Sequence, residues 1–433
     1  MHEGGSAGGD HDHGGVTHVP LDAGLPERGL LGWLLALLVA AAVCSGAFLL
    51  DATALHLPDC CEPWDAAIYP WNFFWLDAFP TAPDGDLLFT RRFYWPEGEG
   101  LGLYTPTWVY AIVSLPFQWL LPEPESRHVA MAFLLFASSA ATALLAFRLA
   151  RELDLPRPAA AFVALLALAA SGRIMNGARL NLFCTEFLLL WLLAAWRFWR
   201  DGGCWRALAF GFASALLLLQ SQPLFFQATL VGVGFVLIAA VRGAGRATLA
   251  ARARPFLLAL LPFVALAGPF VLALLRELPA SPALAHTSAF TQFLSLDVAD
   301  LVRPNGIDRF REWSGRLLPE RTASFFESGG IAGTTSHFLG LGWMTLLALA
   351  LPLRDGGGAR RLLGAALLLL VMAAGPVLRV DGEPLLFLPW KLLDFVPPLA
   401  IEKSPTRLIW LVQLFAALAA ARVLVALAGE RGA

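Results

Sequence analysis

The stretch HVAMAFLLFASSAATALLAFR (residues 128–148) decides the fold. A helix needs about 20 predominantly apolar residues to cross the hydrocarbon core of a bilayer, and this run supplies them. Comparable runs recur at 30–50, 158–172, 181–198, 205–220, 223–241, 255–275, 337–353, 360–375 and 406–428. Composition agrees: 58% of the chain is hydrophobic and only 15% charged. Soluble domains carry roughly 25% charged residues. The expected fold class is an all-α polytopic membrane protein with the lipid bilayer as its first partner. The formal net charge of −2 gives no general basic field, which excludes nucleic acid as a partner.

Residues 1–29, rich in Gly, His and Asp, lack any apolar period and read as a disordered tail. His2, His11, His13 and His18 with Asp10 and Asp12 could also hold a metal weakly. The run Leu30–Leu50 is too long for a signal-peptide core and is followed by no small-residue cleavage motif, so it is expected to remain a span. Residues 30–433 then form one transmembrane domain. The cysteines at 44, 60, 61, 184 and 204 show no metal-ligand spacing. Cys60 and Cys61 are adjacent in a polar loop and are either a pair that oxidises together or two free thiols.

Arginine clusters orient the spans. Arg148, Arg151 and Arg157 form one, and Arg197, Arg200 and Arg206 a second. Arg242, Arg246, Arg252 and Arg254 form a third, and Arg354, Arg360 and Arg361 a fourth. Counting spans from 128 onward puts all four on one side, which is then cytoplasmic. With a cytoplasmic N-terminus, the count closes only if Pro106–Leu121 is not a full crossing. That run has about sixteen residues and contains Pro116, which suits a re-entrant or surface segment. The result is about ten crossings of the cell membrane, with the loops 51–105, 276–336 and 376–405 outside and carrying surface helices.

The first of these loops contains PWDAAIYPWNFFWLDAF and then LLFTRRFYWPEGEGL. It mixes acids (Asp59, Glu62, Asp65, Asp77, Asp84, Asp86), Arg91 and Arg92, and tryptophans at 64, 71, 75 and 95. Long loops of this content are usually functional, and aromatic-rich segments lie well at a membrane surface. It reads as a surface platform with a reactive carboxylate at its start. The last outer loop, FLPWKLLDFVPPLAIEKSPTRLIW, holds both lysines of the chain, Lys391 and Lys403. Ser404 followed by Pro405 signals a helix start, with Ser as cap. A helix N-terminus beside Lys403 and Arg407 suits a phosphate. The same cations would equally serve as anchors that snorkel to headgroups. Phe387, Leu388, Trp390, Leu392, Leu393, Phe395 and Val396 could lie against a long apolar tail.

Several pieces in order carry a family resemblance. They are DAAIYPWNFFW, FYWPEGEGL, ARLNLFCTEFLLLWLLAAWRFWR, SLDVADLVRPNG, SHFLGLGWMTLLAL and GPVLRVDGEPLLFLPWKLLDFVPPLAIEKSPTRL. Together they resemble the bacterial membrane glycosyltransferases of the GT-C type, particularly the large-loop members, over most of residues 30–428. The family's closing pattern has an arginine two residues before the proline, where this chain has Lys403; the charge is kept and the two-pronged fork is lost. The resemblance implies a GT-C-like fold and transfer of a sugar from a polyprenyl-phosphate carrier to an extracytoplasmic envelope acceptor.

A hydroxyl nucleophile then needs a carboxylate to take its proton. Asp65 matches the family's first-loop acid, with Asp51 as the rival. If that segment is helical, Asp65, Tyr69 and Asn72 share a face, made irregular by Pro70. A leaving phosphate needs fixed positive charge, available from Lys403 and Arg407 with Lys391, or from Arg91 and Arg92. His286, His337 and Glu327 could help hold a divalent metal, which stays unassigned as a cofactor. Glu186 is costly inside its span unless paired; Arg179 or Arg173 is the expected partner. Two alternatives stand: a non-catalytic protein of the same fold, and a transporter of lipid-linked glycan. The transporter fits less well, because the spans carry few internal charges and show no evident repeat. Gln220, Gln222 and Gln227 are their one polar cluster.

Overall fold

The computed structural model describes residues 32, 34–42, 63–82, 86–90, 99–101, 107–123, 125–170, 173, 180–241, 243–277, 295, 298, 358–380, 383–395 and 404–430. Nearly all of these are helical. Residues 34–42 form a helical stretch within the first apolar run. Eleven α-helices follow among the described residues: α1 (Pro63–Ala78), α2 (Trp108–Leu120), α3 (Glu125–Glu152), α4 (Arg157–Leu168), α5 (Leu180–Phe183), α6 (Thr185–Asp201), α7 (Cys204–Gln220), α8 (Gln222–Val241), α9 (Gly243–Glu277), α10 (Gly358–Ala373) and α11 (Ile409–Glu430).

Five segments are long and apolar enough to cross a bilayer: Glu125–Glu152, Leu180–Asp201, Gln222–Val241, Gly245–Glu277 and Pro405–Ala428. The chain is a multi-pass membrane protein. Other expected spans are shorter as helices, α10 among them with 16 residues. α4 has 12 residues and α7 has 17, about 18 and 26 Å at 1.5 Å per residue. α2 has 13, about 20 Å, well below the thickness of a hydrocarbon core, as expected for a segment that does not cross. The run 337–353 lies outside the described residues.

The tight corners come from local chemistry. Between α3 and α4, Asp154 takes φ 61°, a left-handed conformation that Asp tolerates better than most residues, and Leu155 N donates to Ala150 O at 3.1 Å. Between α6 and α7, Gly202 and Gly203 both have positive φ, which permits a two-residue reversal. α7 and α9 pack closely because Gly211 presents no side chain: a Cβ there would run into the backbone carbonyl of Ala259.

Burial is uneven. The window of Pro405–Ala428 is 78% buried inside the protein, whereas those of Gln222–Val241 and Gly245–Glu277 are 22% and 17% buried. α11 is therefore a central helix, packed against α10 and α4. α8 and α9 present Val233, Val236, Leu237, Leu257, Leu261 and Val264 outward, as lipid-facing helices do.

The all-α expectation needs one correction. Two small antiparallel hairpins are present. Phe89–Thr90 (β1) pairs with Glu99–Gly100 (β2) in the platform. Val377–Val380 (β3) pairs with Glu383–Phe387 (β4) at the start of the last loop. The second hairpin has a visible cause. Asp381–Gly382 stands between two apolar runs, and an Asp-Gly pair so placed is a strong two-residue turn signal.

The described contacts sort the helix ends into two groups. Arg148, Arg197 and Arg200 all reach Glu152. Arg252 donates to the Trp199 and Arg200 carbonyls, and Arg422 to the Leu153 carbonyl at 2.6 Å. At the far ends of the same helices, α1 and α2, the α7–α8 corner and the last loop come together.

Candidate functional site

α1 forms as a helix with Pro70 inside it. A proline ring removes one backbone donor and disturbs the preceding turn; here side-chain anchors hold the segment. Trp71 and Trp75 stack with centroids 5.7 Å apart. Trp75 Nε1 donates to Leu87 O at 3.2 Å, and Gln118 Nε2 of α2 donates to Phe73 O at 3.1 Å. Trp119 Nε1 donates to Asp77 Oδ1 at 3.1 Å. α1 is thus docked along α2.

Tyr69 and Asn72 are buried, at 2% and 1% exposure. Tyr69 donates through its hydroxyl to Asn181 Oδ1 at 2.5 Å. Asn72 Nδ2 donates to Thr107 Oγ1 at 3.3 Å. Both side chains, expected to meet substrate, thus bind other parts of the protein and fix α1 to α5 and to the start of α2. Asp65 lies on α1, one turn before Tyr69 and two before Asn72. Asp51, Arg91, Arg92 and Lys403 lie outside the described residues, as do Cys60, Cys61, Arg179, His286, Glu327 and His337. Among the described residues no group of three or more His, Cys, Asp or Glu could hold a metal ion.

Next to the Tyr69–Asn181 contact lies a buried polar network. Glu186 opens α6 and is 6% exposed. The Tyr110 hydroxyl donates to Glu186 Oε1, and the Ser138 hydroxyl donates to Glu186 Oε2 at 2.7 Å. Arg173, fully buried, donates from Nη2 to Ser139 Oγ at 2.9 Å and to Ser138 Oγ at 3.4 Å. Its guanidinium also lies over the Phe183 ring, 3.7 Å from the centroid. One step deeper, the Thr142 and Thr185 hydroxyls are 3.0 Å apart. Tyr110 N donates to Gln220 Oε1 at 3.0 Å, so the corner glutamine satisfies one of the amides left open at the start of α2.

The network lies well inside the candidate spans Glu125–Glu152 and Leu180–Asp201. Ser138 and Glu152 are fourteen positions apart on α3, and Glu186 and Arg200 fourteen apart on α6. At 1.5 Å per residue each separation is about 21 Å. Measured from the arginine end, Glu186 lies about two-thirds of the way through a core of about 30 Å.

The expected partner of Glu186 therefore needs refining. Arg173 reaches it through Ser138, while Tyr110 and Ser138 bond the carboxyl directly. Sequence reasoning isolates Glu186 through the cost of burying an acid. It misses Tyr110 and Ser138, because an ordinary aromatic and an ordinary serine on separate helices give no spacing signal.

The last loop joins the same end of the molecule. Trp390 is 2% exposed and meets Phe226 of α8 edge-on, with centroids 6.0 Å apart. Gly375 has φ 77° and no room for a side chain, because Ser295 fills the space and the Pro405 ring is 3.4 Å from where a Cβ would stand. Ser295 thus packs against the start of the last loop at Gly375. The expected cap is corrected: Ser404 has φ −116° and ψ 75° and makes no side-chain cap hydrogen bond. A 3₁₀ turn, Pro405–Leu408, opens the helix instead, with Arg407 N donating to Ser404 O at 3.1 Å. Arg407 stands on that turn, half-buried, and Lys391 is half-buried on the 3₁₀ segment Pro389–Phe395.

Comparison with protein-family models, with curated proteins and with solved structures finds no match.

Proposed function

We propose that this chain is a membrane glycosyltransferase of the GT-C type. It would transfer a sugar from a polyprenyl-phosphate carrier to an acceptor outside the cell membrane, with Asp65 as general base. The observation that carries the reading is the docking of α1. Asp65 stands on a helix whose next two turns are tied to the transmembrane body by Tyr69–Asn181 and Asn72–Thr107. A general base works when it is held within hydrogen-bonding reach of the proton it takes, and a helix pinned by buried bonds supplies such rigidity.

The carrier phosphate is assigned to the last loop. Arg407 lies on the turn that opens α11, Lys403 precedes that turn in sequence, and Lys391 lies on the 3₁₀ segment Pro389–Phe395. Their positive charge would balance the negative charge that develops on the leaving phosphate. Arg91 and Arg92 of the platform are the alternative pair.

Transfer of labelled sugar from the carrier, followed in membranes, tests the base. Asp65→Asn is expected to lower the rate about 10²–10⁴-fold at unchanged expression. Turnover near that of the parent would move the role to Asp51 or remove the enzymatic reading. Polyprenyl phosphate binding to the purified protein tests the anion site. A charge-assisted contact is worth about 1.5–3 kcal/mol, so Lys403→Glu and Arg407→Glu are each expected to weaken binding by about tenfold or more. Unchanged affinity would send the phosphate to Arg91 and Arg92.

A further inference from the structure

β4 is exposed along its whole length. Leu385, Leu386 and Phe387 are three consecutive apolar residues at 61%, 52% and 78% exposure. Successive strand residues point to opposite faces, so this hairpin shows apolar side chains on both sides. A hairpin in water keeps one face polar, and a run of three exposed apolar residues on a soluble surface favours aggregation. Leu392, 66% exposed, extends the apolar surface beyond the strand.

The position of the hairpin indicates what covers it. β3 begins four residues after the end of α10, which puts the hairpin at one end of a bundle whose long helices are apolar enough to cross a bilayer. Its root is fixed: Val377 is buried, Leu388 N donates to Pro376 O at 2.9 Å, and Trp390 is packed on α8. β3 and, through its pairing, β4 are thereby held at that end of the bundle. Arg379 stands opposite Pro384 in the same hairpin and Lys391 precedes the exposed Leu392, and cations on an element with exposed aromatic and leucine side chains fit a surface of anionic lipid.

We infer that the hairpin Val377–Phe387 is an interfacial anchor, with Leu385, Leu386 and Phe387 seated among the headgroups and upper acyl chains of the leaflet at that end of the bundle. This makes the last loop a lipid-contacting element in its own right, whatever reaction the chain performs.

Photocrosslinking of the full chain tests the assignment. Photoreactive benzoylphenylalanine replaces Phe387, Leu385, Glu383 or, as a lipid-facing control on α9, Leu261. The protein is reconstituted in vesicles of phosphatidylethanolamine and phosphatidylglycerol, irradiated, and adducts are identified by mass spectrometry. Phospholipid adducts from positions 385 and 387 at a yield within about threefold of position 261, and lower from 383, support the anchor. Three outcomes overturn it: crosslinks mainly to a second copy or to another segment of this chain; adducts near background; or lipid adducts that appear only when polyprenyl phosphate is added and contain that lipid alone. All four positions are exposed, so misfolding is not expected. Leu385→Asp gives an independent reading: a fall in the protection from aqueous quenchers of a fluorophore attached at Phe387→Cys supports the anchor, and no change opposes it.

Discussion

Glu152 and Glu186 stand at opposite ends of the same parallel helix pair and live in opposite conditions. Glu152 closes α3 and is ringed by Arg148, Arg197 and Arg200, whose side chains are 60%, 36% and 44% exposed. Glu186 opens α6 and is enclosed by Tyr110, Ser138 and, through that serine, Arg173. The ring around Glu152 is built from charges that water already solvates, so each contact adds little. The ring around Glu186 exists because an acid at membrane depth must be met by the protein itself. The first end marks where the helices stop. The second ties four elements together and stands beside the helix that carries Asp65.

Breaking the Glu186 end is expected to have the largest effect. Glu186→Leu takes the acid from Arg173 and leaves the Tyr110 and Ser138 hydroxyls facing an apolar side chain. Removing one partner of a buried pair costs about 3–5 kcal/mol. A large fall in the denaturation midpoint of the detergent-solubilised protein is expected, with loss of α1 docking seen as faster proteolysis in the platform. A midpoint equal to that of the parent would show that the network is wet and replaceable.

Tyr110→Phe sharpens the comparison by deleting one bond and little volume. A hydrogen bond to a charged group is worth about 1.5–3 kcal/mol in soluble proteins, and side-chain bonds between membrane helices average about 0.6. The expected cost is about 1–2 kcal/mol in the same assay, clearly smaller than for Glu186→Leu. An equal cost for both variants would mean that the tyrosine, rather than the acid, holds the network.

The contrast also explains how far the sequence could be read. Apolar length is a local property, so residues 128–148 announced the helix Glu125–Glu152, and 406–428 announced Pro405–Ala428. The arginine clusters are local too, and three of them do gather around one end. Length alone overstates α4, whose helix ends at Leu168 with Ala169 as its cap. The hairpin was legible through Asp381–Gly382, but a chain of apolar runs invites a helical reading everywhere. Ser404–Pro405 was read as a side-chain cap, whereas a proline at the first position and a 3₁₀ turn set the start without one. The polar network is the part that stayed hidden. Tyr110, Ser138 and Glu186 are separated by 76 and 48 positions, and only the packing of α2, α3 and α6 brings them together. Tyr69 and Asn72 were found for their position on the helix, while their role as anchors to Asn181 and Thr107 depends on partners that no spacing reveals.

At the other end, Glu152→Gln is expected to cost about 1 kcal/mol, because the three arginines are solvated although the Glu152 side chain is only 10% exposed, and the neutral amide still accepts from them. The cost should shrink further in high salt, since exposed charges are screened over about 8 Å at physiological ionic strength. The Glu186 variants should show no such dependence. A salt-insensitive loss at Glu152 would place this end out of water.

The smallest effect is expected for Arg148→Ala. Arg148 meets Glu152 at 3.2 Å in an i, i+4 arrangement and is 60% exposed. Such helix pairs contribute about 0.3–0.5 kcal/mol, and here the acid keeps two other guanidinium groups. Arg197 contacts Glu152 Oε1 through both Nε and Nη2, at 3.1 and 2.7 Å, and Arg200 holds Oε2 at 2.9 Å. Deleting Arg148 therefore leaves both carboxylate oxygens bonded, and the denaturation midpoint should stay within error of the parent. The same change made in the Glu152→Gln background should add nothing, because the charge that Arg148 pairs with is already gone. A clear additional loss in the double variant would show that Arg148 is held by something other than Glu152, and the cluster would then need a further partner at that end of α3.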